Sequence, residues 1–443
     1  MTSLDHQPLP ALTFRGFTAD APVFTRHVLC GEKILARLPD KPLRSADQQQ
    51  TAQEIHRTCR ELRARFVATY ADELYDRLTD GHRRTLRPAQ LAAAAAEELP
   101  GLVPDSRHME QERRRTPRHR EGREIDQGVL FWGLLRASRA GRHLLGSALT
   151  PTPRSLAVLP EFRAAGTADL GTVRVTRDDT VGHVTLCNTR CLNAEDDALV
   201  GDLETAVDLV LLEERIRVCV LRGGRMKHPR YEGRRVFSSG INLTDLYHGR
   251  ISFVDFLLGR ELGLISKMMH GLRLDERPGP ESGLAKPWVA AVDSFAIGGG
   301  MQLLLTLDRV IAEEGAYFRL PAAQEGIVPG AASLRLGRLT GGRMARRIVL
   351  FGETIHTDAE EARLLCDEVV PTEAVDRAIE RAAADLGSSA VTSNRRMLHL
   401  AEEPADAFRA YMAAFSWEQS HRMYSPDVLD TLERTWMRRR RRN

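Results

Sequence analysis

Three consecutive glycines, Gly298 to Gly300, constrain this 443-residue chain more than any other feature of its sequence. The apolar run 287–292 predicts a buried strand before them, and Met301 with the leucines after it predicts a helix. The glycines therefore lie at a strand-to-helix turn, where the first N–H groups of the helix have no intrahelical partner and carry partial positive charge. Such a turn either holds a developing negative oxygen or simply lets a helix pack tightly on a strand.

A second turn of small residues narrows this choice. The segment Phe237 to Leu243 ends a short apolar strand and then resumes as a predicted helix. Two such turns can each supply one N–H to a single oxygen atom. Together with the blocks Lys286 to Gln302 and Phe318 to Gly330, this segment resembles the crotonase (enoyl-CoA hydratase/isomerase) superfamily.

The resemblance covers roughly residues 170 to 385 and implies an α/β fold. It implies a crotonase-like ββα spiral core at 170–385. Helical periodicity on either side predicts an additional N-terminal α-helical domain at 1–165 and a C-terminal helical segment at 386–443 for oligomer contacts and pocket closure. The pattern of residues agrees, because apolar positions recur every three or four residues from Ser45 to Thr79 and a hairpin is predicted around Asp178 and Asp179. The family further implies a homo-oligomer, either a trimer or a dimer of trimers.

Two positions depart from the hydratases of that family. The resemblance implies one glutamate two residues after the last glycine of the triplet and another directly after the proline of the third block. This chain has Gln302 and Ala322 there. A neutral amide cannot serve as a general base and a methyl group cannot exchange protons, so water addition is disfavoured. Enolate chemistry at the thioester α-carbon remains.

This combination resembles the branch of cofactor-independent dioxygenases that oxidise 3,5-dihydroxyphenylacetyl-CoA to 3,5-dihydroxyphenylglyoxylate and free coenzyme A in glycopeptide antibiotic biosynthesis. The resemblance implies O₂ as co-substrate, coenzyme A carried only by the substrate, and no metal or other cofactor. The N–H groups of Ile241 and Gly299 would hold the enolate oxygen. Glu195 would contact substrate hydroxyls or take a proton, and Gln302 would hydrogen-bond the substrate.

Further residues receive substrate-binding roles from the same resemblance. Arg260 leaves the apolar face of a helix predicted at about 251–272, where it either orients the dihydroxyphenyl ring or forms a structural ion pair. Arg234 and Arg235 belong to a basic run that could contact the coenzyme A phosphates. The residues assigned to a dry dioxygen pocket, each of which could equally be ordinary core, are Leu243, Ile327 and Val428.

Two alternatives stay open. One is a crotonase-type isomerase, hydratase or thioesterase that recruits Glu195 or another acid in place of the lost glutamates. The other is a non-catalytic scaffold that binds acyl-CoA, although an inert scaffold has no need for two exposed N–H groups.

Composition excludes several other classes of protein. The six cysteines are scattered, without a second pair at zinc-binding spacing, and fit free thiols in a reducing compartment. A net charge of +3 is too small to indicate nucleic-acid binding. The start of the chain lacks a secretory pattern, and no apolar run reaches the ~20 residues of a membrane span. We therefore expect a cytoplasmic protein with neither nucleic-acid nor membrane partners.

Overall fold

The computed structural model describes residues 12–13, 15–274 and 283–440, with side chains up to residue 434. Its internal contacts divide the chain into two compact units. The first contains the residues up to Ala148, the segment Tyr247–Leu258 and the residues from Arg409 onward. The second contains Leu149–Leu246 and Gly259–Phe408. The domain boundaries expected from the sequence, 1–165, 170–385 and 386–443, stay a prediction.

The first unit is helical. Its longest helix, Ala46–Thr79, confirms the predicted amphipathic segment. Ser45 begins this helix with a capping box formed with Gln48, and Asp80 ends it in the left-handed conformation. The other helical segments of this unit are Phe17–Leu35, Lys41–Leu43, Pro88–Glu98, Ser106–Arg113, Pro117–His119, Arg123–Arg136, Ser138–Ala148, Phe253–Leu258 and Pro426–Arg440.

A seven-stranded sheet forms the centre of the second unit. Its strands lie in the spatial order Thr167–Asp169, Val173–Asp178, Val181–Leu186, Val218–Gly223, Trp288–Val292, Arg309–Glu313 and Glu368–Val370. The second and third strands form the predicted antiparallel hairpin, and every later pairing is parallel. Parallel strands need crossover connections, which the helices of this unit provide.

The second unit contains many helical segments besides the sheet. They are Pro153–Ala165, Thr189–Cys191, Asp197–Leu212, Pro229–Tyr231, Leu243–Tyr247, Arg260–Ile265, Ser266–His270, Gly299–Leu304, Ala322–Glu325, Ala332–Phe351, Glu360–Leu364, Thr372–Ala374, Val375–Leu386, Ser389–Glu402 and Ala405–Arg422, the last of which continues into the first unit. Alternate residues of the central strands, such as Val218 and Val220, pack against the helix Val375–Leu386. The strand Trp288–Val292 is buried throughout, as predicted for the run before the glycines.

A smaller sheet carries the glycine turns. It pairs Thr354–His356 with Tyr317–Arg319, and the latter in parallel with Phe295–Ile297. Single parallel bridges extend it, from Ala296 to Ser238 and from Ile241 to Glu195. Three segments that are distant in sequence therefore meet at one edge of this sheet. A separate two-stranded ribbon pairs Leu272–Arg273 with Gly283–Leu284.

The helix predicted at about 251–272 has an unusual pitch. Its residues Phe253–Leu258 and Arg260–Ile265 are π-helical, and only Ser266–His270 forms an ordinary α-helical end. π-Helical turns are rare in proteins, and those that do occur are frequently found at functional sites. Within the described ranges, no helix has the length and apolar character needed to cross a bilayer.

Candidate active site

The two glycine turns adjoin each other. The strand Phe295–Ile297 is followed by Gly298, whose φ of 54° and ψ of −118° favour glycine, and the next helix starts at Gly299. A Cβ atom on Gly298 would lie 3.4 Å from Gly240 Cα and 4.0 Å from the nitrogen of Ile241. A Cβ atom on Gly240 would lie 2.9 Å from the carbonyl oxygen of Ile297. Glycine at these positions is what allows the turns to approach so closely.

The main chain of Glu195 forms hydrogen bonds with both sequence neighbours of Ile241. The Glu195 N–H donates to the Gly240 carbonyl at 2.7 Å, and the Asn242 N–H donates to the Glu195 carbonyl at 2.8 Å. In a parallel bridge of this kind, the residue between the two bonded neighbours directs its own N–H to the other side. Within the described residues, the N–H groups of Ile241 and Gly299 donate to no protein acceptor. Both predicted oxyanion donors are therefore available to a ligand.

The side chains of Glu195 and Arg260 hold Gly299. The Glu195 carboxylate packs so closely on Gly299 that a Cβ atom there would collide with it. Arg260 donates to the Gly299 carbonyl at 2.9 Å and to Glu195 Oε1 at 3.0 Å, and its Nε lies 2.8 Å from Glu195 Oε2. Glu195 thus supports one donor through its main chain and the other through its carboxylate.

Every guanidinium nitrogen of Arg260 contacts a protein acceptor. Nη1 donates to Gln302 Oε1 at 2.9 Å and to Glu261 Oε1 at 3.1 Å, in addition to the contacts with Glu195 and Gly299. Burial lowers the pKa of Arg260, but the attraction of Glu195 and Glu261 outweighs this effect and raises the pKa above its usual value. The structure therefore shows the ion pair that sequence reasoning left open. A role in orienting the substrate ring stays a prediction and would require Arg260 to exchange one of these partners.

The first turn has support that sequence reasoning missed. The buried Ser238 hydroxyl accepts a hydrogen bond from the Gly240 N–H at 3.1 Å and donates to the Asn193 carbonyl at 2.9 Å. Asn193 donates from its side chain to the Val236 carbonyl at 2.8 Å and has a φ of 53°. Asparagine tolerates this left-handed conformation better than most residues, and its presence at position 193 is the one signal in the sequence that could have identified this support.

The residues assigned to the dioxygen pocket lie in both units. Leu243 is half-buried at the start of the helix Leu243–Tyr247, and Ile327 is half-buried after the helix Ala322–Glu325. Val428 is buried and belongs to the first unit. Their grouping around dioxygen stays a prediction.

The two arginines assigned to coenzyme A differ in exposure. Arg234 is exposed, and its guanidinium lies 5.9 Å from the ring centre of Tyr231. Arg235 is half-buried and donates to the Gly223 carbonyl at 3.0 Å. Arg234 is therefore the better placed of the two to meet a phosphate, and both assignments stay predictions.

Metal-ligating side chains do not cluster in the described part of the chain. No group of three or more His, Cys, Asp or Glu side chains there could hold a metal ion. The cysteines, including Cys187 and Cys191, are free thiols.

Comparison with known proteins adds to this geometry. The family model described as "Enoyl-CoA hydratase/isomerase" matches residues 176–421. The (3,5-dihydroxyphenyl)acetyl-CoA 1,2-dioxygenase of Amycolatopsis orientalis is 51% identical over 90% of this chain and 92% of its own length. The mitochondrial enoyl-CoA hydratase of Pongo abelii is 30% identical over 46% of this chain and 63% of its own length. Similarity to the dioxygenase therefore extends well beyond the part of the chain that resembles the hydratase.

A solved structure gives the same fold. An enoyl-CoA hydratase/isomerase from Xanthobacter autotrophicus Py2 matches with a TM-score of 0.50 and 22% identity, over 59% of this chain and 92% of that chain. This likeness concerns the fold alone. It confirms the fold class predicted for the core.

Proposed function

Because the chain belongs to the enoyl-CoA hydratase/isomerase family, we propose that its two glycine turns bind the carbonyl oxygen of a coenzyme A thioester. The chain oxidises 3,5-dihydroxyphenylacetyl-CoA with O₂ to 3,5-dihydroxyphenylglyoxylate and free coenzyme A. The observation that carries this function is the 51% identity to a dioxygenase of that substrate along 90% of the chain. Gln302 and Ala322, which occupy the positions expected to hold the hydratase glutamates, support it.

Enolate formation is the first step of the proposed reaction. The N–H groups of Ile241 and Gly299 donate to the thioester oxygen as it gains negative charge, and loss of one such donor typically costs about 2.7–4 kcal/mol of transition-state stabilisation. Glu195 adjoins Gly299 and takes the α-proton, either directly or through a water molecule. Gln302 and Arg260, which are hydrogen-bonded to each other, face the substrate ring in this proposal.

Oxygen then reacts with the carbanion. The electron-rich aryl enolate supplies electrons directly to O₂, so that the proposed reaction requires neither a metal nor a flavin. The peroxide formed at the α-carbon attacks the thioester carbonyl and expels the coenzyme A thiolate. The O–O bond then breaks as the second α-hydrogen leaves as a proton, which gives the α-keto acid. Leu243 and Ile327 line the proposed dry dioxygen pocket, and Arg234 and Arg235 contact the coenzyme A phosphates.

The oligomeric state, the cellular location and the biosynthetic role of the enzyme are also part of the proposal. The helix Ser389–Glu402 exposes an apolar surface, in which Met397, Leu398 and Leu400 are 63%, 60% and 59% exposed, and this surface supports a homo-oligomer. A trimer or a dimer of trimers is the assembly that the family resemblance implies. The free thiols support a cytoplasmic location. The substrate supports a place in glycopeptide antibiotic biosynthesis.

An oxygen electrode tests the function directly. Enzyme treated with a chelator and then desalted is mixed with 3,5-dihydroxyphenylacetyl-CoA while thiol release is followed in parallel. We expect equal molar amounts of O₂ consumed and coenzyme A released. Thiol release or isomerisation of the thioester without oxygen uptake would indicate the crotonase-type isomerase, hydratase or thioesterase. The absence of all of these changes would indicate a scaffold.

A further inference from the structure

A line of buried ion pairs extends from Arg260 away from the glycine turns. Glu261 lies 3.1 Å from Arg260 and 3.6 Å from Arg335. Arg335 in turn donates twice to Glu403, both times at 2.9 Å. All four side chains are almost completely buried, with exposed fractions of 4% or less. Charges at such depth are stable only when each has its partner.

Glu261 is also anchored to the main chain directly after the third sequence block. Its Oε2 accepts a hydrogen bond from the Ala331 N–H at 3.2 Å. Gly330 leaves room for the carboxylate, because a Cβ atom at that position would collide with it. Burial raises the pKa of Glu261, against the attraction of Arg260 and Arg335, which lower it. Glu261 therefore connects a fixed turn of the backbone to the guanidinium of Arg260.

Arg260 connects Glu261 to Gly299, the second oxyanion donor. The nitrogen that contacts Glu261 also contacts Gln302, while the other two nitrogens contact Glu195 and the Gly299 carbonyl. The Glu195 carboxylate packs directly on Gly299. Displacement of Arg260 would therefore move the Glu195 carboxylate and remove the donor to the Gly299 carbonyl. Both changes would shift Gly299, whose N–H faces the substrate in this proposal.

We propose that Glu261 is a positioning residue: it fixes Arg260 so that the Gly299 N–H stays aimed at the thioester oxygen. Glu261 does not touch the substrate and transfers no proton. This inference rests on the proposed binding of a thioester carbonyl by Ile241 and Gly299, but it does not depend on the reaction with O₂.

A second buried ion pair of the same unit provides a matched control. Lys267 lies 2.8 Å from both Glu204 and Asp208, and the side chains of Lys267 and Asp208 are 0% exposed. None of these three residues contacts Ile241, Gly299 or Arg260 through a hydrogen bond or an ion pair in the described part of the chain. Asp208→Asn and Glu261→Gln each replace a buried carboxylate by an amide of the same shape. A purely structural role would give both variants the same phenotype.

The test measures the polarisation of a bound carbonyl. Phenylacetyl-CoA labelled with carbon-13 at the carbonyl is bound under nitrogen, and its C=O stretching frequency is compared with that in buffer. We expect a shift to lower frequency with the wild type and with Asp208→Asn, and loss of most of that shift with Glu261→Gln. In air, with 3,5-dihydroxyphenylacetyl-CoA, Glu261→Gln should lower kcat by about 10- to 100-fold with KM nearly unchanged, since small displacements of reacting groups have effects of this size.

Glu261→Asp keeps the charge on a shorter side chain and covers the case in which Glu261→Gln does not fold. We expect it to lose part of the carbonyl shift. A wild-type carbonyl shift in the folded glutamine or aspartate variant would overturn the inference, as would an equal loss in Asp208→Asn. If the wild type shifts the carbonyl and Glu261→Gln does not, the inference holds even if no oxygen is consumed, and only the dioxygenase proposal fails.

Discussion

The two glycine turns of the site are held by different forces. The turn at Gly240 and Ile241 is held by main-chain hydrogen bonds to Glu195 and by the hydroxyl of Ser238. The turn at Gly298 and Gly299 has one main-chain hydrogen bond to a neighbouring strand, from the Gly298 N–H to the Arg319 carbonyl at 2.8 Å. Its donor residue Gly299 is held by the charged side chains of Glu195 and Arg260. Main-chain pairing tolerates many side chains, whereas a buried ion pair fails when one partner is removed. The second donor should therefore be much more sensitive to substitution than the first.

Arg260→Ala should have the largest effect. It leaves Glu195 and Glu261 buried without their shared cation, and removal of one partner from a buried pair costs about 3–5 kcal/mol of the free energy of unfolding. Turnover should fall as well, because the Gly299 carbonyl loses its donor. Denaturant unfolding and steady-state kinetics check both effects. A stable but inactive variant would instead favour direct contact between Arg260 and the substrate ring.

Gly299→Ala should come next, with a loss of about 2.7–4 kcal/mol of transition-state stabilisation, the value of one oxyanion donor. The added Cβ atom collides with the Glu195 carboxylate and displaces either that group or the helix start. The matched control is Gly337→Ala on the helix Ala332–Phe351, where a Cβ atom would meet nothing within 4 Å. Equal kcat values for the two variants would contradict the assignment of Gly299 as a donor.

Ser238→Ala should have a smaller effect, because the main-chain pairing of the first turn remains. It removes the acceptor of the Gly240 N–H, and a lost hydrogen bond of this kind costs about 1 kcal/mol. We expect a modest decrease in melting temperature and only a several-fold decrease in kcat. A loss as large as that of Gly299→Ala would remove the contrast between the two turns.

Low pH should weaken the ion pair of Arg335 and Glu403, which ends the line of buried ion pairs that begins at Arg260. Burial raises the pKa of Glu403, but hydrogen bonds from His270 and Arg335 and the charge of Arg335 lower it to about 2. Since the folded-state pKa is depressed, the stability that Glu403 contributes is present above its usual value of 4.5 and is lost as the pH falls toward about 2. Melting temperatures across this range should fall less steeply for Glu403→Gln than for the wild type. Parallel curves would contradict this contribution.

Local features of the fold could be predicted from the sequence, whereas the side-chain contacts that hold the second turn could not. Glycine turns, apolar periodicity and helix caps are local patterns, so the buried strand Trp288–Val292 and the helix Ala46–Thr79 could be predicted. The partners of Arg260 could not. Consecutive residues of an α-helix do not face each other, so the Arg260–Glu261 pair, which lies in a π-helical segment, has no sequence signal.

The most direct test of the central claim is a crystal structure with phenylacetyl-CoA bound. We predict that the thioester oxygen lies about 2.7–3.1 Å from the main-chain nitrogens of both Ile241 and Gly299. A thioester oxygen that contacts neither nitrogen, or only one of them, would contradict the account.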